Sequence, residues 1–274
     1  MQTLSEIREL LAQRGLRPKH RLGQNFLHDK NQLAKLIEAA DIRPGDLVLE
    51  VGSGTGTLTE ELLKRSAEVI ACEVDRDLAG ILKERFGHRL TLIVDDCLEG
   101  ERTLNGQLTQ AIGGRRFKLV ANLPYQIASA LISALLLDHP NCTGQYVTIQ
   151  KEAADRLAAK PSTKAYGALS IIVQAFADVR RISTLSRGCF WPPPDVTSAM
   201  VAITPKSAAE IGDGKYFARR EFAAFVVKLF TKRRKQLGTT FGRGKSNWPA
   251  GVTSDLRPEA LTVPQIVELW HACH

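Results

Sequence analysis

Three observations predict an α/β chain built as a parallel sheet wrapped by helices, with a small helical domain at its C-terminal end. Short apolar segments with strand character alternate with helical segments between Leu47 and Gln150. A glycine-rich stretch, Gly52 to Gly56, joins one such strand to the helix after it. From about Lys215 onward the apolar residues keep helical spacing, and no convincing strand follows. Alternation of this kind buries a parallel sheet between helices, and right-handed crossovers bring the strand C-termini to one edge, where ligands bind.

The elements follow in order. Leu33, Leu36, Ile37 and Ala40 fall on one face of a helix over 29–40, and Pro44-Gly45 marks the turn that ends it. Leu47–Val51 is the first strand, and a helix near Leu58–Arg65 follows the glycines. Strands are predicted at 68–73, 90–94, 117–121 and 146–150, with helices at 78–86 and 127–137. Residues 101–116 are polar and read as an excursion between strands. A Pro-rich loop, Trp191 to Asp195, precedes an apolar strand at 200–203, and Pro205 to Gly214 reads as a linker. Phe222, Phe225, Val226, Leu229 and Phe230 then share one helical face. The domains expected are 1–205 and 206–274.

Composition narrows the partners. The 274 residues carry a formal net charge of +8, which permits a polyanion as partner. No apolar run is long enough to span a bilayer, and Met1 to Arg14 lacks the apolar core of a secretory signal. The five cysteines show no metal-ligand or disulfide spacing, so thiols in a reducing cytosol and no metal are expected.

The loop Glu50-Val51-Gly52-Ser53-Gly54-Thr55-Gly56 lets backbone approach a ligand closely. A dinucleotide fingerprint requires G-x-G-x-x-G, whereas position 57 is Thr57. The spacing G-x-G-x-G suits a nucleoside with no pyrophosphate. Glu73 ends the next strand, where a carboxylate can accept hydrogen bonds from ribose hydroxyls. Asp95-Asp96 ends the third, where a carboxylate can accept from an adenine amine. Together they describe a site for S-adenosylmethionine (AdoMet), with NAD(H) as the competing ligand.

Asn122-Leu123-Pro124-Tyr125 follows the fourth strand. An exocyclic adenine amine is a poor nucleophile because its lone pair is delocalised into the ring. Two acceptors on its hydrogens would draw the nitrogen toward tetrahedral geometry. The Asn122 side-chain carbonyl and the Leu123 backbone carbonyl can supply them, with Pro124 holding Leu123 extended. Tyr125 offers a ring for the base to stack on. The alternative is an ordinary strand-to-helix turn, with Asn as cap and Pro at the first helical position.

These residues resemble the small-subunit ribosomal RNA adenine dimethyltransferases of the KsgA type, over nearly the whole chain. Leu22-Gly23-Gln24-Asn25-Phe26-Leu27 resembles that family's cofactor-covering segment, and 50–59 its first methyltransferase motif. Glu73, Asp96 and Asn122–Tyr125 match the next three. Gln150-Lys151-Glu152, Tyr166–Ser170, Phe190–Ser198 and Arg233-Arg234-Lys235 resemble later blocks, the last a basic C-terminal helix. The resemblance implies a Rossmann-like AdoMet-dependent methyltransferase fold, with 1–205 binding AdoMet and 206–274 binding RNA. It implies that Asn25, Leu27, Gly52, Gly54, Glu73, Asp96 and Asn122 line the AdoMet site. Phe190 would pack against the flipped adenine opposite Tyr125. The implied substrate is two adjacent adenosines in a hairpin loop near the 3′ end of small-subunit rRNA, each receiving two methyl groups, with the pre-ribosomal small subunit as partner and a cytoplasmic monomer as enzyme. Leu123 stands where the related large-subunit enzymes more often carry Ile.

Lys228, Lys232 and Lys235 recur at i, i+4, i+7, widened by Arg233 and Arg234, and Arg219, Arg220, Arg243 and Lys245 add to that end. Such a face can grip structured RNA through phosphates, the alternative being a solvated helix face. A shorter cluster, Arg17, Lys19, His20 and Arg21, is expected to order only with RNA. His28 and Cys97 are expected to pack rather than react. The competing functions are a large-subunit rRNA methyltransferase, a non-catalytic ribosome assembly factor, an NAD-dependent oxidoreductase and a DNA adenine methyltransferase.

Overall fold

The computed structural model describes residues 1–100, 102–207, 218–242 and 247–273. Most of the expected linker, and Arg243 and Lys245, lie outside the described residues. The chain forms two compact units, one of Met1–Leu135, His139–Ala154 and Arg180–Thr204, the other of Leu136–Asp138, Asp155–Val179 and Pro205–His274.

In the first unit, α1 (Leu4–Ala12) starts at a reciprocal cap between Thr3 and Glu6. A short strand β1 (Phe26–Leu27) leads to α2 (Lys30–Ala40), whose first turn is capped by Asp29 accepting from the Gln32 N–H at 3.1 Å. Leu33, Leu36, Ile37 and Ala40 are its buried face, as their spacing predicts. Then come β2 (Leu47–Val51), α3 (Thr57–Lys64), β3 (Glu68–Cys72), α4 (Arg76–Phe86) and β4 (Leu90–Ile93). β5 (Leu98–Glu99) precedes the polar excursion and pairs with β6 (Thr103–Leu104) inside it, and a helix, α5 (Gly106–Ile112), capped by Asn105, follows. The chain continues through β7 (Phe117–Asn122), α6 (Tyr125–Asp138), β8 (Cys142–Gln150), α7 (Lys151–Leu157), α8 (Ala168–Phe176), β9 (Ala177–Leu185), β10 (Phe190–Trp191) and β11 (Ser198–Pro205).

One seven-stranded sheet results, in the order β4-β3-β2-β7-β8-β11-β9. The strands β4, β3, β2, β7 and β8 are parallel to one another. β11 runs antiparallel to β8, with Ser198 opposite Gln150, so the sheet is mixed and not wholly parallel. An apolar run buried on both faces reads alike in either direction, which hides this reversal from the sequence.

The order places the site. From β2 the chain winds one way through β3 and β4, then returns to the other side of β2 as β7 and β8. The connections after β2 and β7 therefore diverge at one point, which opens a crevice at the strand C-termini. Gly52–Gly56 follows β2 there, and Leu123-Pro124 follows β7.

The second unit packs α8, α9 (Arg219–Phe230), α10 (Leu237–Phe241) and α11 (Val263–His271) around Phe176, Phe222, Val226, Leu261 and Trp270. Phe176 and Trp270 meet Phe222 edge-on, with ring centroids 5.7 and 5.9 Å away.

Candidate active site

A cleft opens at the crevice, lined by 21–27, 50–55, 72–74, 95–97 and 122–127 among others. Gly52 adopts φ 73°, a left-handed conformation, and a Cβ there would lie 3.1 Å from Cδ of Pro124. Glycine thus lets the loop after β2 and the turn after β7 touch. Glu73 is buried, and its carboxylate accepts from the Gly54 N–H at 2.8 Å and the Asp75 N–H at 3.0 Å. Those bonds aim the carboxylate along the cleft floor, and each oxygen keeps a further lone pair. Burial pushes the Glu73 carboxyl above its ordinary range, against the backbone donors that pull it down.

The two acids after β4 have different tasks. Asp95 Oδ2 accepts from Asn105 Nδ2 at 3.2 Å and Gln107 Nε2 at 3.1 Å, which ties it to α5. Asp96 is exposed, lines the cleft, and accepts from the Leu98 N–H at 3.0 Å. Cys97 is buried, and its thiol is pushed up to about 12 by burial and then by neighbouring Asp96. That suits packing and not nucleophilic chemistry.

Asn122 does not cap α6. Pro124 occupies the cap position with no side-chain cap bond. The Asn122 Nδ2 instead donates to the Asn25 backbone carbonyl at 2.9 Å. This assigns the amide orientation, because the reverse would set two oxygens together. Oδ1 is left buried without a hydrogen-bond partner among the described residues. An orphaned buried acceptor is costly, so it marks a position where a donor is expected to arrive. Leu123 donates its N–H to the Thr148 carbonyl at 3.1 Å, which anchors the turn to β8. The Tyr125 hydroxyl lies 2.6 Å from Oγ of fully buried Ser198.

The family model for ribosomal RNA adenine dimethylase matches residues 15–271. The chain belongs to this family. It is 39% identical over 281 residues to the ribosomal RNA small subunit methyltransferase A of Magnetococcus marinus, with 98% of this chain and 96% of the relative covered. Against the protein of the same name from Pelotomaculum thermopropionicum it is 36% identical, with 96% and 94% covered. Its structure is similar to a dimethyladenosine transferase from Plasmodium falciparum (TM-score 0.72, 26% identity, 90% and 96% covered). It is also similar to the 23S rRNA methyltransferase ErmE (TM-score 0.63, 25% identity, 90% and 98% covered). This adenine dimethylase is therefore an AdoMet-dependent methyltransferase that acts on ribosomal RNA.

The cleft fits that cofactor. Glu73 offers buried acceptors able to take hydroxyl donors, Asp96 an exposed carboxylate, and Gly52–Gly54 a closely approachable backbone, all lining one cleft. Asn25, Leu27, Gly52, Gly54, Glu73, Asp96 and Asn122 all line this one cleft, as do Leu123, Pro124 and Tyr125.

Phe190 is placed differently from the expectation. It pairs with Leu27 across the β1–β10 bridge and is 3% exposed, packed with Leu33 and Leu36. Its neighbour Trp191 stacks on Phe26 instead, with ring centroids 6.2 Å apart and the Arg8 guanidinium 5.2 Å from the Trp191 ring centre. Strand alternation forces this, since adjacent side chains in β10 point to opposite faces.

The basic residues also divide. α9 ends at Phe230, and the N–H groups of Lys232, Arg233 and Lys235 bond three residues back, so Lys228 to Lys235 is not one helical face. Arg219 donates to the Leu136 carbonyl at 2.5 Å and lies over the Phe176 ring. Arg220 pairs with Asp138, and Arg233 with Glu259 at 2.8 Å. These three hold the second unit together, while Lys228, Lys232, Arg234 and Lys235 are exposed. Near the other end, Lys19 is no free phosphate contact: its Nζ lies 2.7 Å from both Asp75 Oδ1 and Asp77 Oδ2. Sequence reasoning missed Asp75 and gave Ser198 no partner, because the residues they bond are distant in the chain.

Proposed function

We propose that this enzyme dimethylates N6 of two adjacent adenosines in the 3′-terminal hairpin loop of small-subunit rRNA. It acts as a monomer in the cytoplasm, on the assembling small subunit. The observation that carries the reading is the Asn122 Oδ1, an acceptor without a partner among the described residues, in the cleft that Gly52–Gly54 and Leu123 also line.

AdoMet, when bound, supplies an electrophilic methyl group. Glu73 would hold its ribose, Asp96 its adenine amine, and the Gly52–Gly54 backbone its amino-acid end. Asn122 Oδ1 and the Leu123 carbonyl oxygen accept the two N6 hydrogens of the target adenine. That localises the nitrogen lone pair for attack and fixes its direction. The Tyr125 ring stacks on the base, worth about 1–3 kcal/mol, and Ser198 holds that ring by its hydroxyl. No residue of the cleft need act as a strong base, because the proton lost from N6 can pass to water once the nitrogen is cationic. The exposed Lys228, Lys232, Arg234 and Lys235 contact rRNA phosphates. The small-subunit names of the curated relatives and Leu123 favour this substrate over a large-subunit one.

The test is transfer of labelled methyl groups from AdoMet to small subunits lacking the modification, to large subunits, and to matched RNA and DNA hairpins. Dimethyladenosine in the small-subunit RNA alone is expected. Label confined to large subunits or to DNA, or no transfer at all, overturns the proposal.

A further inference from the structure

We infer that Gln24 and Asp75 form a latch that closes the segment Lys19–Leu27 over the cleft and, through the Asn25 carbonyl, sets the direction of the Asn122 amide. The inference rests on the reading of Asn122 Oδ1 as the N6 acceptor. It makes Gln24 and Asp75 positioning residues.

The segment is held at both ends. At one end Phe26 and Leu27 pair with Trp191 and Phe190. At the other, the Gln24 amide is engaged on both sides. Its Oε1 accepts from the Lys19 N–H at 2.7 Å, and its Nε2 donates to Asp75 Oδ2 at 2.7 Å. Asp75 is 4% exposed. Its other oxygen receives Lys19 Nζ at 2.7 Å and the Asp77 N–H at 3.1 Å. Burial alone would push the Asp75 carboxyl up, yet the bonds from Lys19 and Gln24 hold it below its ordinary value, so it stays charged. Its own N–H reaches the Glu73 carboxylate at 3.0 Å.

Between the two anchors the Asn25 carbonyl takes the Asn122 Nδ2. The last side-chain torsion of an asparagine is broad, so a hydrogen bond must choose its orientation. Here that bond comes from the covering segment and from no part of β7 or α6. One run of hydrogen bonds thus joins Glu73, Asp75 and Gln24, and the backbone step to Asn25 carries it to Asn122. Closing the segment over the cofactor and aiming the acceptor at the substrate are one event. Opening the latch must then cost turnover as well as cofactor affinity.

Three variants of the full-length enzyme test this. Gln24→Ala removes the latch. Gln24→Glu sets two carboxylates against each other. Gln24→Glu with Asp75→Asn restores the latch with its polarity reversed, since the carboxylate now at position 24 accepts from the Lys19 N–H and from the amide now at position 75. Asn also caps a helix as well as Asp, so α4 is preserved. Three readouts apply: kcat at saturating AdoMet, the dissociation rate of S-adenosylhomocysteine, and hydrogen exchange of residues 20–25 in cofactor-free protein.

For Gln24→Ala and Gln24→Glu, kcat falls roughly tenfold, the scale of one charge-assisted hydrogen bond, and dissociation and exchange speed up. The double variant returns all three to within about twofold of wild type. A Gln24→Ala enzyme with wild-type kcat at saturating AdoMet overturns the coupling to Asn122. A double variant no better than Gln24→Glu overturns the latch. Failure of the underlying reading looks different: Asn122→Ala would then turn over at full rate, whatever the latch variants do.

Discussion

Replacing Gly52 by alanine asks two things of the loop after β2. The backbone there is at φ 73°, where a side chain costs about 1–2 kcal/mol. The new Cβ would also lie 3.1 Å from Cδ and 3.3 Å from Cγ of Pro124, inside the ~3.5–4.0 Å of ordinary carbon contact. The pyrrolidine ring cannot swing aside as a long side chain can, so the turn carrying the Leu123 carbonyl and the Asn122 amide must shift by a few tenths of an ångström, or the loop must withdraw. Gly45 supplies the control. It has φ 81°, and nothing lies within 4 Å of its would-be Cβ. Gly45→Ala therefore carries the backbone strain without the collision. Both variants are expected to lose about 1–2 kcal/mol of stability, seen as a melting temperature lower by about 2–4 °C per kcal/mol. Only Gly52→Ala should lose kcat/KM, by roughly 10- to 100-fold, because a small misplacement of reacting groups is expensive. Scanning calorimetry and methyl-transfer kinetics on the pair read the two effects separately. Equal activity in the two variants would refute the steric register between the loop and the catalytic turn.

Three further outcomes follow from particular residues. Glu73→Ala should weaken AdoMet roughly 10- to 100-fold by calorimetry, the worth of a charge-assisted hydrogen bond, and unchanged affinity removes its role at the ribose. Glu50 is fully buried under the glycine loop, accepts from Thr59 Oγ1 at 2.6 Å, and has its carboxyl raised by burial from 4.5 to about 8. The folded chain keeps this proton while the unfolded chain has released it, so stability is present below pH 4.5 and lost as pH rises to about 8. Wild type should accordingly lose melting temperature between about pH 5 and pH 8 relative to Glu50→Gln, and parallel curves for the two contradict it. Lys232→Glu with Lys235→Glu should weaken rRNA binding and flatten its salt dependence by about one unit of slope per lost phosphate contact, with AdoMet binding unchanged. An unaltered salt slope would remove these lysines from the interface.

How much of this was legible in the sequence depended on whether the determinant was local. The strands β2, β3, β4, β7 and β8 and the motifs at their ends could be read, because a short apolar run, a glycine loop and a strand-terminal acid each declare themselves within a few residues; the two-residue strands β5 and β6 are too short to show a pattern. The AdoMet reading, with NAD(H) as its competitor, rested on Thr57 occupying the position where a dinucleotide loop needs glycine, together with the strand-end acids Glu73 and Asp96. β9 escaped because an edge strand with mostly solvent-facing residues shows little alternation. The role of Phe190 depended on its register against Leu27, far earlier in the chain, which no local pattern records. Lys19 read as part of a free basic cluster until Asp75 and Asp77 were placed beside it. The lysine period from 228 to 235 continued past the true end of α9, because charge spacing says nothing about where the backbone bonds switch from four residues back to three.

The methyl-transfer chemistry proposed for the cleft turns on the Asn122 acceptor acting on the substrate amine and not on the cofactor. Single-turnover methylation of unmodified small subunits by Asn122→Ala, with AdoMet affinity measured on the same preparation, tests it most directly. AdoMet binding is expected to stay within a few-fold of wild type while the methyl-transfer rate drops by roughly 100-fold or more, the scale for removing one preorganised hydrogen-bonding group. Transfer at the wild-type rate would contradict it, as would a loss explained wholly by weaker AdoMet binding.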